Sequence, residues 1–342
     1  MNKKILVTGG SGFIGTNFIN LISKKNYNIL NIDKISKIST PDKYKKIYNK
    51  KKYSLIKDSL KNPKKIFEIF KKFKPSIIIN FAAESHVDRS INNPIYFVKN
   101  NINASINLFY AYSKYYKKNK IELFHISTDE VYGSIKKGEF KENDTYNPSS
   151  PYSASKGSID LIATSFNKTY KTNIKILNLA NNYGPYQFPE KFIPTLIFHF
   201  LKNKRAPIYG KGKNVREWMH VEDSCNAIWK SVNSKKKFEK MNIGSGLRIS
   251  NLEIAKIVFK IMKSKNFTKL NKKKFLKMVQ DRPGHDKRYA LNTNFFRRNI
   301  GYKVNKKLYV GLKETIFWYM KNNDWLKNIN KSYNFKRLGL ID

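Results

Sequence analysis

Apolar residues along the chain recur in two rhythms. Short runs rich in branched side chains, at 4–8, 29–32, 53–56, 76–79, 121–126 and 174–177, read as strands. Between them, apolar positions three and four apart predict helices, one opening near Asn17 and others over 63–73, 94–117 and 152–170. Regular alternation of the two predicts an α/β fold with a doubly wound parallel sheet covered on both faces. Ligands bind such sheets outside the carboxyl ends of the strands, so polar motifs that directly follow a strand are candidates for one shared site. Beyond about Asn182 the pattern loses its regularity. We expect a first, Rossmann-type domain over 1–181 and a smaller mixed domain over 182–342, with some segments of the second returning to the first.

The first strand runs directly into Gly9-Gly-Ser-Gly-Phe-Ile-Gly15 and then into a helical pattern. Gly10, Gly12 and Gly15 satisfy G-x-G-x-x-G at a strand–turn–helix junction. Glycines there permit a tight turn and let the backbone approach a pyrophosphate, which sits at a helix N-terminus where free N–H groups and the dipole favour an anion. The second strand ends at Asp33, near the ~20-residue spacing of an acid that accepts hydrogen bonds from an adenosine ribose. A carboxylate there repels a 2′-phosphate, so NAD is expected over NADP, with Lys34 beside it pulling the other way.

Candidate chemistry lies in Ser127-Thr-Asp-Glu-Val-Tyr-Gly133 and, downstream, Tyr152-Ser-Ala-Ser-Lys156. A tyrosine acts as a general base near neutral pH only when its phenol is acidified, and a lysine four residues on, on the same helix face, supplies a cation for that purpose. Tyr-x-x-x-Lys alone arises by chance in a chain so rich in both residues, and Thr-Asp-Glu alone reads as a turn. Their order behind a glycine turn is what makes them a site. A Tyr/Lys pair points to hydride chemistry; two adjacent carboxyls add an acid and a base, which an elimination needs.

Composition changes the picture mainly by what it removes. The formal net charge of +44 invites a nucleic-acid reading. Yet the positive charge is 59 lysines against 9 arginines, interspersed with Asn, Ile, Tyr and Phe, residues that share A/T-rich codons. Genome composition is the simpler cause, no nucleic-acid partner is expected, and the charge serves to attract anionic substrates. Against that background a retained arginine suggests that a planar fork is wanted, which singles out Arg89, Arg216 and Arg282. One cysteine, Cys225, permits no intramolecular disulfide. No apolar run approaches the ~18 residues of a membrane helix, and the first strand starts too early to leave room for a signal peptide. A cytoplasmic location without a membrane partner is expected. His86, His125, His199 and His220 lack metal-ligand spacing and are read as structural, with no metal expected.

Further segments, in order, are Ala82-Ala-Glu-Ser-His-Val-Asp-Arg-Ser90, Pro151-Tyr-Ser-Ala-Ser-Lys156, Asn181-Asn-Tyr-Gly-Pro-Tyr186, Phe188-Pro-Glu-Lys191, Pro207-Ile-Tyr-Gly210, Arg216-Glu-Trp218 and Asp281-Arg-Pro-Gly-His-Asp286. With them the chain, from residue 4 to about 320, resembles the extended short-chain dehydrogenase/reductases and, within these, the dTDP-glucose 4,6-dehydratase family. Glycine and Tyr/Lys motifs carry only the superfamily; Asp129-Glu130, the segment around His86 and Asp281–Asp286 select the dehydratases. Epimerases of the superfamily usually have small residues where Asp129 and Glu130 stand.

That resemblance implies oxidation at C4 of the sugar, loss of water across C5 and C6, and return of hydride to C6, with NAD as a tightly held cofactor. It assigns Thr128, Asp129, Glu130, Tyr152 and Lys156 to catalysis. Gly9, Gly12, Phe13, Ile14, Gly15, Asp33, Asp58, Ala82, Ala83, Ser85, Ser127, Tyr152 and Lys156 are assigned to the cofactor. Ser85, His86, Asn181, Lys191, Pro207, Tyr209, Arg216, Asn251, Arg282 and His285 are assigned to a nucleotide sugar, with the base left open among dTDP, UDP and CDP. It also implies a homodimer through a four-helix interface of the 94–117 and 152–170 helices, whose aromatics Phe97, Tyr110, Tyr112 and Phe166 suit a buried face. Departures from the family pattern are Leu179-Ala180 in place of Cys-Ser, Asn100 in place of Thr and Glu217 in place of Asp.

Overall fold

A computed structural model describes residues 3–330. Its strands are β1 (Lys4–Thr8), β2 (Asn28–Asp33), β3 (Tyr53–Lys57), β4 (Ile77–Asn80), β5 (Glu122–Thr128), β6 (Ile174–Leu179), β7 (Asn181–Tyr183), β8 (Ala206–Tyr209), β9 (Val215–His220), β10 (Lys240–Ile243), β11 (Arg248–Ser250) and β12 (Leu276–Val279). Seven of these form one sheet in the order β10-β6-β5-β4-β1-β2-β3, with every adjacent pair parallel. Ile5, Leu6 and Val7 of β1 are wholly buried, as strands covered on both faces require. The chain reverses its direction of growth between β1 and β4, and that switch point opens a crevice at the carboxyl edge.

Local signals set the helices that frame this edge. Helix α1 (Phe13–Ile22) follows the glycine turn directly. In α2 (Pro63–Phe73), Asn62 caps the first turn, Pro63 sits where no N–H is needed, and Lys74 closes the end in the left-handed conformation. A short helix α3 (Val87–Asn92) and the long α4 (Pro94–Asn119) precede β5, and α5 (Pro151–Tyr170) starts at a capping box between Ser150 and Ser153. Each prediction for β1 to β6 and for these three long helices lands within a few residues. Helix α1 starts earlier than its apolar pattern, because Phe13 and Ile14 are its first turn.

The remaining helices are α6 (Phe192–Leu201), α7 (Val221–Val232), α8 (Asn251–Ser264), α9 (Asn294–Ile300), α10 (Leu308–Lys321) and α11 (Asn323–Asn330). Two small sheets, β11-β9-β7 and the parallel pair β12-β8, carry the second half of the chain. Its core gathers Leu196, Ile197, Phe200, Ile254, Val258, Leu312 and Ile316. Strand β10 crosses back to pair with β6, and α7 lays Cys225, Ile228 and Val232 into the same cluster as Phe18, Ile19 and Ile22 of α1.

That return has a measurable consequence. A fragment ending at residue 181 would leave the outer edge of β6 unpaired and uncover the apolar face of α1. It should therefore fail to show a cooperative thermal transition by circular dichroism. A soluble fragment that melts cooperatively would show that the returning segments are dispensable.

Candidate active site

Two adjoining hollows lie along the carboxyl edge. The first is a cleft of 90 Å³ over the glycine turn, lined by Gly9, Gly12, Asp33, Lys34, Asp58, Ala82, Ala83 and Asn100 among others. The glycines are needed for steric reasons. Gly9 has φ +70°, and a Cβ there would stand 2.5 Å from the Ala82 nitrogen; a Cβ on Gly15 would meet the Gly9 carbonyl at 2.4 Å. At Gly12 a Cβ would meet only the Gly9 carbonyl at 3.3 Å. Gly12 is the residue that caps α1, and no side chain occupies the first-turn N–H groups of Phe13 and Ile14. A glycine surface at an uncapped helix N-terminus fits the pyrophosphate of a dinucleotide.

Asp33 takes the Ser11 N–H at 2.9 Å and the Ile35 N–H at 2.8 Å, so its carboxylate is held at the cleft wall while lone pairs remain for a ribose. Lys34, the residue that pulled toward NADP, is tied to Glu84 in an ion pair. Asp58 accepts from Leu60 N–H and pairs with Lys65. Ser85 and Ser127 do not line this cleft. Ser85 is exposed and offers its carbonyl to Lys191, and the Ser127 hydroxyl donates to Asp160 at 2.7 Å.

The second hollow is a cavity of 210 Å³ between the sheet edge and the second half of the chain. His86, Asn181, Lys191, Pro207, Tyr209, Arg216, Asn251, Arg282 and His285, dispersed over two hundred residues of sequence, all line it together with Glu130. Among the described residues, Asn181 Oδ1, Asn182 Oδ1, Gln187 Oε1 and Arg282 Nε are buried with no hydrogen-bond partner. All four residues belong to the wall, where the three unpaired amide oxygens suit a ligand's hydroxyl or N–H donors and the Arg282 Nε–H suits an anion. Burial and nearby cations push His86 down to about 3 and His285 to about 4, so both are neutral and act as hydrogen-bonding groups.

Sequence reasoning missed Asp88, Gln187, Glu190, Trp218 and Tyr289 on this wall. Asp88 accepts from Tyr209 Oη at 2.6 Å and from Arg282 at 3.0 Å, tying α3 to β8 and to the 281–286 loop. Glu190 takes Arg89 at 2.6 Å. Both acids sit inside segments already singled out, beside His86 and Lys191, and their partners Arg282 and Arg89, two of the arginines noted for their rarity, were the available signal. Of the remaining histidines, His199 bonds the Thr195 carbonyl and His220 caps α7.

Of the catalytic candidates, Glu130 lines the second cavity, and Thr128, Asp129 and Tyr152 interact with one another beside it. Thr128 ends β5 and caps the turn Asp129–Tyr132, accepting from Glu130 N–H and donating to Asp129 Oδ1 at 3.2 Å. Asp129 is 2 % exposed and its Oδ2 has no hydrogen-bond partner among the described residues. Burial first, then the charges of Glu130 and Glu217, hold its carboxyl well above the usual range. Glu130 is also raised by burial, but Arg282, Lys191 and Arg216 oppose the shift. Burial thus raises both adjacent carboxyls, but more nearby cations oppose the shift at Glu130 than at Asp129, which favours Asp129 as the acid of the pair and Glu130 as the base. Tyr152, at the start of α5, is buried against Phe97. Burial and the two carboxyls push its phenol up, and a Thr128 hydrogen bond pulls it down. Lys156, one turn on, donates to the Ile126 carbonyl at 2.6 Å, and burial brings it down to about 8.

A glycine-turn cleft, a Tyr/Lys pair and a polar cavity on one sheet edge define a Rossmann-fold enzyme of the extended short-chain dehydrogenase/reductase type. A family model described as GDP-mannose 4,6 dehydratase matches residues 6–315. A probable dTDP-glucose 4,6-dehydratase of Sinorhizobium fredii is 35 % identical over 99 % of both chains, and dTDP-glucose 4,6-dehydratase 1 of Escherichia coli K12 is 35 % identical over 95 % of both. Among solved structures, the dTDP-glucose 4,6-dehydratase of Bacillus anthracis in complex with NAD superposes with a TM-score of 0.85 at 36 % identity, covering 96 % of this chain and 99 % of that one. The Streptomyces venezuelae dTDP-glucose 4,6-dehydratase, also with NAD bound, gives 0.87 at 31 % identity, covering 95 % and 99 %. The chain belongs to the dTDP-glucose 4,6-dehydratase family.

The electrostatics of Asp129 predict a trade between stability and activity. Its usual value is near 3.8, and the folded value lies well above it, so between the two the folded chain keeps a proton that the unfolded chain has lost. Stability therefore falls as pH rises through that window, and the full penalty remains above it. Asp129→Asn cannot ionise and should raise the thermal midpoint by ~2–4 °C at pH 8, with the gap narrowing toward pH 5. A gap of constant size across that range would mean that Asp129 is already ionised in the folded chain at pH 5 and is not raised into this window.

Proposed function

We propose that this chain converts dTDP-glucose to dTDP-4-keto-6-deoxyglucose, with NAD as the cofactor. The observation that carries this reading is the split environment of Asp129 and Glu130 at the cavity: an acid and a base side by side, beyond what a simple oxidoreductase requires. Gly9, Gly12, Phe13, Ile14, Gly15, Asp33, Asp58, Ala82 and Ala83 hold the cofactor, which supplies the hydride acceptor and donor when bound. The cavity holds the nucleotide sugar, with Lys191, Arg216 and Arg282 neutralising its diphosphate and Tyr209, Asn251 and His285 packing and hydrogen-bonding the base. Residues 1–181 act as the cofactor domain, and residues 182–342 mainly as the nucleotide-sugar domain.

In the reaction, Tyr152 takes the proton of the 4-hydroxyl as C4 is oxidised, with Thr128 hydrogen-bonded to the phenol and Lys156 providing the positive charge that favours the phenolate. The new ketone acidifies the C5 proton. Glu130, whose ionised form three cations favour, removes it, and protonated Asp129 passes its proton to the departing 6-hydroxyl, releasing water. Asp129 is buried and Glu130 is half-buried at the cavity wall, so the two carboxyls meet different surroundings.

Tyr152→Phe should abolish product formation and leave no near-ultraviolet absorbance of reduced cofactor. Glu130→Gln should preserve the first oxidation, so that this absorbance appears and persists, while turnover to the 4-keto-6-deoxy product falls by roughly 10²–10⁴-fold. Assays with dTDP-, UDP- and CDP-glucose should favour dTDP-glucose. Wild-type turnover by Glu130→Gln would remove the dehydratase assignment of the carboxyl pair.

The protein works as a homodimer in this reading, with Cys225 reduced in the cytoplasm. No helix among the described residues is long and apolar enough to cross a membrane. The four aromatics expected on the dimer face divide. Phe97 and Tyr112 are buried in the chain's own core and Phe166 packs on Phe109, which leaves Tyr110 exposed on α4. Ile95 and Tyr96 of α4 and Leu161 of α5 join it as exposed apolar groups on two helices packed side by side. Light scattering at micromolar concentration should give about twice 40.1 kDa. The double substitution Tyr110→Glu with Leu161→Glu should give the monomer; a wild-type monomer would overturn the assembly.

A further inference from the structure

Beneath the Tyr/Lys pair lies a chain of buried polar groups that the reaction above does not use. Asn80 at the end of β4, His125 in β5 and Asp160 on α5 are each at most 1 % exposed. Asn80 Oδ1 accepts from Thr8 Oγ1 at 2.6 Å and from the Ala82 N–H at 3.1 Å. A backbone N–H only donates, so the amide oxygen must face Ala82 and the amide nitrogen must face His125 Nδ1, 2.9 Å away. That nitrogen also only donates. His125 Nδ1 is therefore an acceptor, and the ring proton is locked on Nε2.

His125 Nε2–H points between two groups, Lys156 Nζ at 3.2 Å and Asp160 Oδ1 at 3.6 Å. Asp160 Oδ1 has no hydrogen-bond partner among the described residues, while Oδ2 is filled by Ser127, Tyr146 and Asn178. An ammonium carries donors only. A ring N–H held 3.2 Å from it sets donor against donor and disfavours the charged lysine, whereas the Asp160 carboxylate favours it. The groups facing Lys156 are Asp160 from its own helix, and His125 and the Ile126 carbonyl from β5. Tyr146, in the loop before α5, acts on it through Asp160. Helix α4 presents only the edge of Phe109 to the His125 ring, and Asp129 and Glu130 act on Tyr152 rather than on the lysine.

We propose that Asn80, His125 and Asp160 form a positioning relay that sets how readily Lys156 carries its charge, and with it the alkaline limit of catalysis by Tyr152. The relay rests on the Tyr152/Lys156 reading given above. Asn80 acts through the tautomer of His125, which withholds an acceptor from the lysine; Asp160 acts directly, as its counter-charge.

The test is the pH dependence of kcat with dTDP-glucose for the intact protein and its variants. In Asn80→Asp a carboxylate faces Nδ1, moves the ring proton there and turns the Nε2 lone pair toward the ammonium, so the alkaline limb should move up by ~1 pH unit. In Asn80→Ala the lock is removed without adding charge, and the limb should move up by a smaller amount. In Asp160→Asn the counter-charge is lost, and the limb should move down by ~1 pH unit. Damage to packing alone would lower kcat at every pH and leave the limb in place, and that result in all three variants would overturn the proposal, as would a downward shift in Asn80→Ala. Lys156→Ala serves as the control. If it retains wild-type turnover, the Tyr152/Lys156 reading itself fails; if it is inactive while the three limbs stay put, only the relay fails.

Discussion

A parallel sheet returns every strand in the same direction, and that single constraint carries the rest of the structure. Because β1, β2, β4 and β5 all end at one edge, the glycine turn, Asp33, Ala82–Ala83 and Thr128–Glu130 are delivered to the same side of the molecule without any contact having to draw them there. The approach is close enough at the switch point that only glycine fits at Gly9 and Gly15. The second half of the chain then closes over the edge through β7, β8 and the 281–286 loop, and the cavity between them is what remains.

Within that cavity, charge is distributed against the average of the chain. Most of the lysines are exposed and solvated, yet a handful of cations decide the chemistry. Lys191, Arg216 and Arg282 oppose the burial of Glu130 without cancelling it, whereas at Asp129 Arg216 and a Thr128 hydrogen bond oppose burial and the charges of Glu130 and Glu217 add to it. Glu217, one of the departures from the family pattern, is wholly buried. It accepts from the Gly246 and Leu291 N–H groups and pairs with Arg248. Its structural bonds thus have an electrostatic consequence at the neighbouring acid. The arginines singled out for their rarity, Arg89, Arg216 and Arg282, each engage the cavity wall: Arg89 holds Glu190, Arg282 holds Asp88, and Arg216 stacks over Tyr289 at 4.1 Å.

What the sequence determined by itself was everything encoded in short range. Hydrophobic period distinguishes strand from helix, caps such as Asn62 and Ser150 mark where helices begin, and the glycine spacing implies a phosphate-binding turn before any fold is known. Motif order then places the catalytic candidates on one chain segment after another at the same sheet edge. Strand β10 was not legible, since four residues beginning with lysine carry no period. Its assignment comes from the empty edge of β6, a property of the folded sheet. Likewise Phe97 and Tyr112 read as an interface face because aromatic content says that a side chain is buried without saying against what; packing of α4 on its own core decided the matter. Tertiary structure alone also separated Asp129 from Glu130. Adjacent residues have the same sequence neighbourhood, and their acidities diverge only because one side chain is buried with an unpaired oxygen while the other faces three cations contributed by distant segments. The locked tautomer of His125 belongs to the same class, since it depends on the Asn80 amide at the end of β4, turned by the Ala82 N–H, meeting a ring carried by β5.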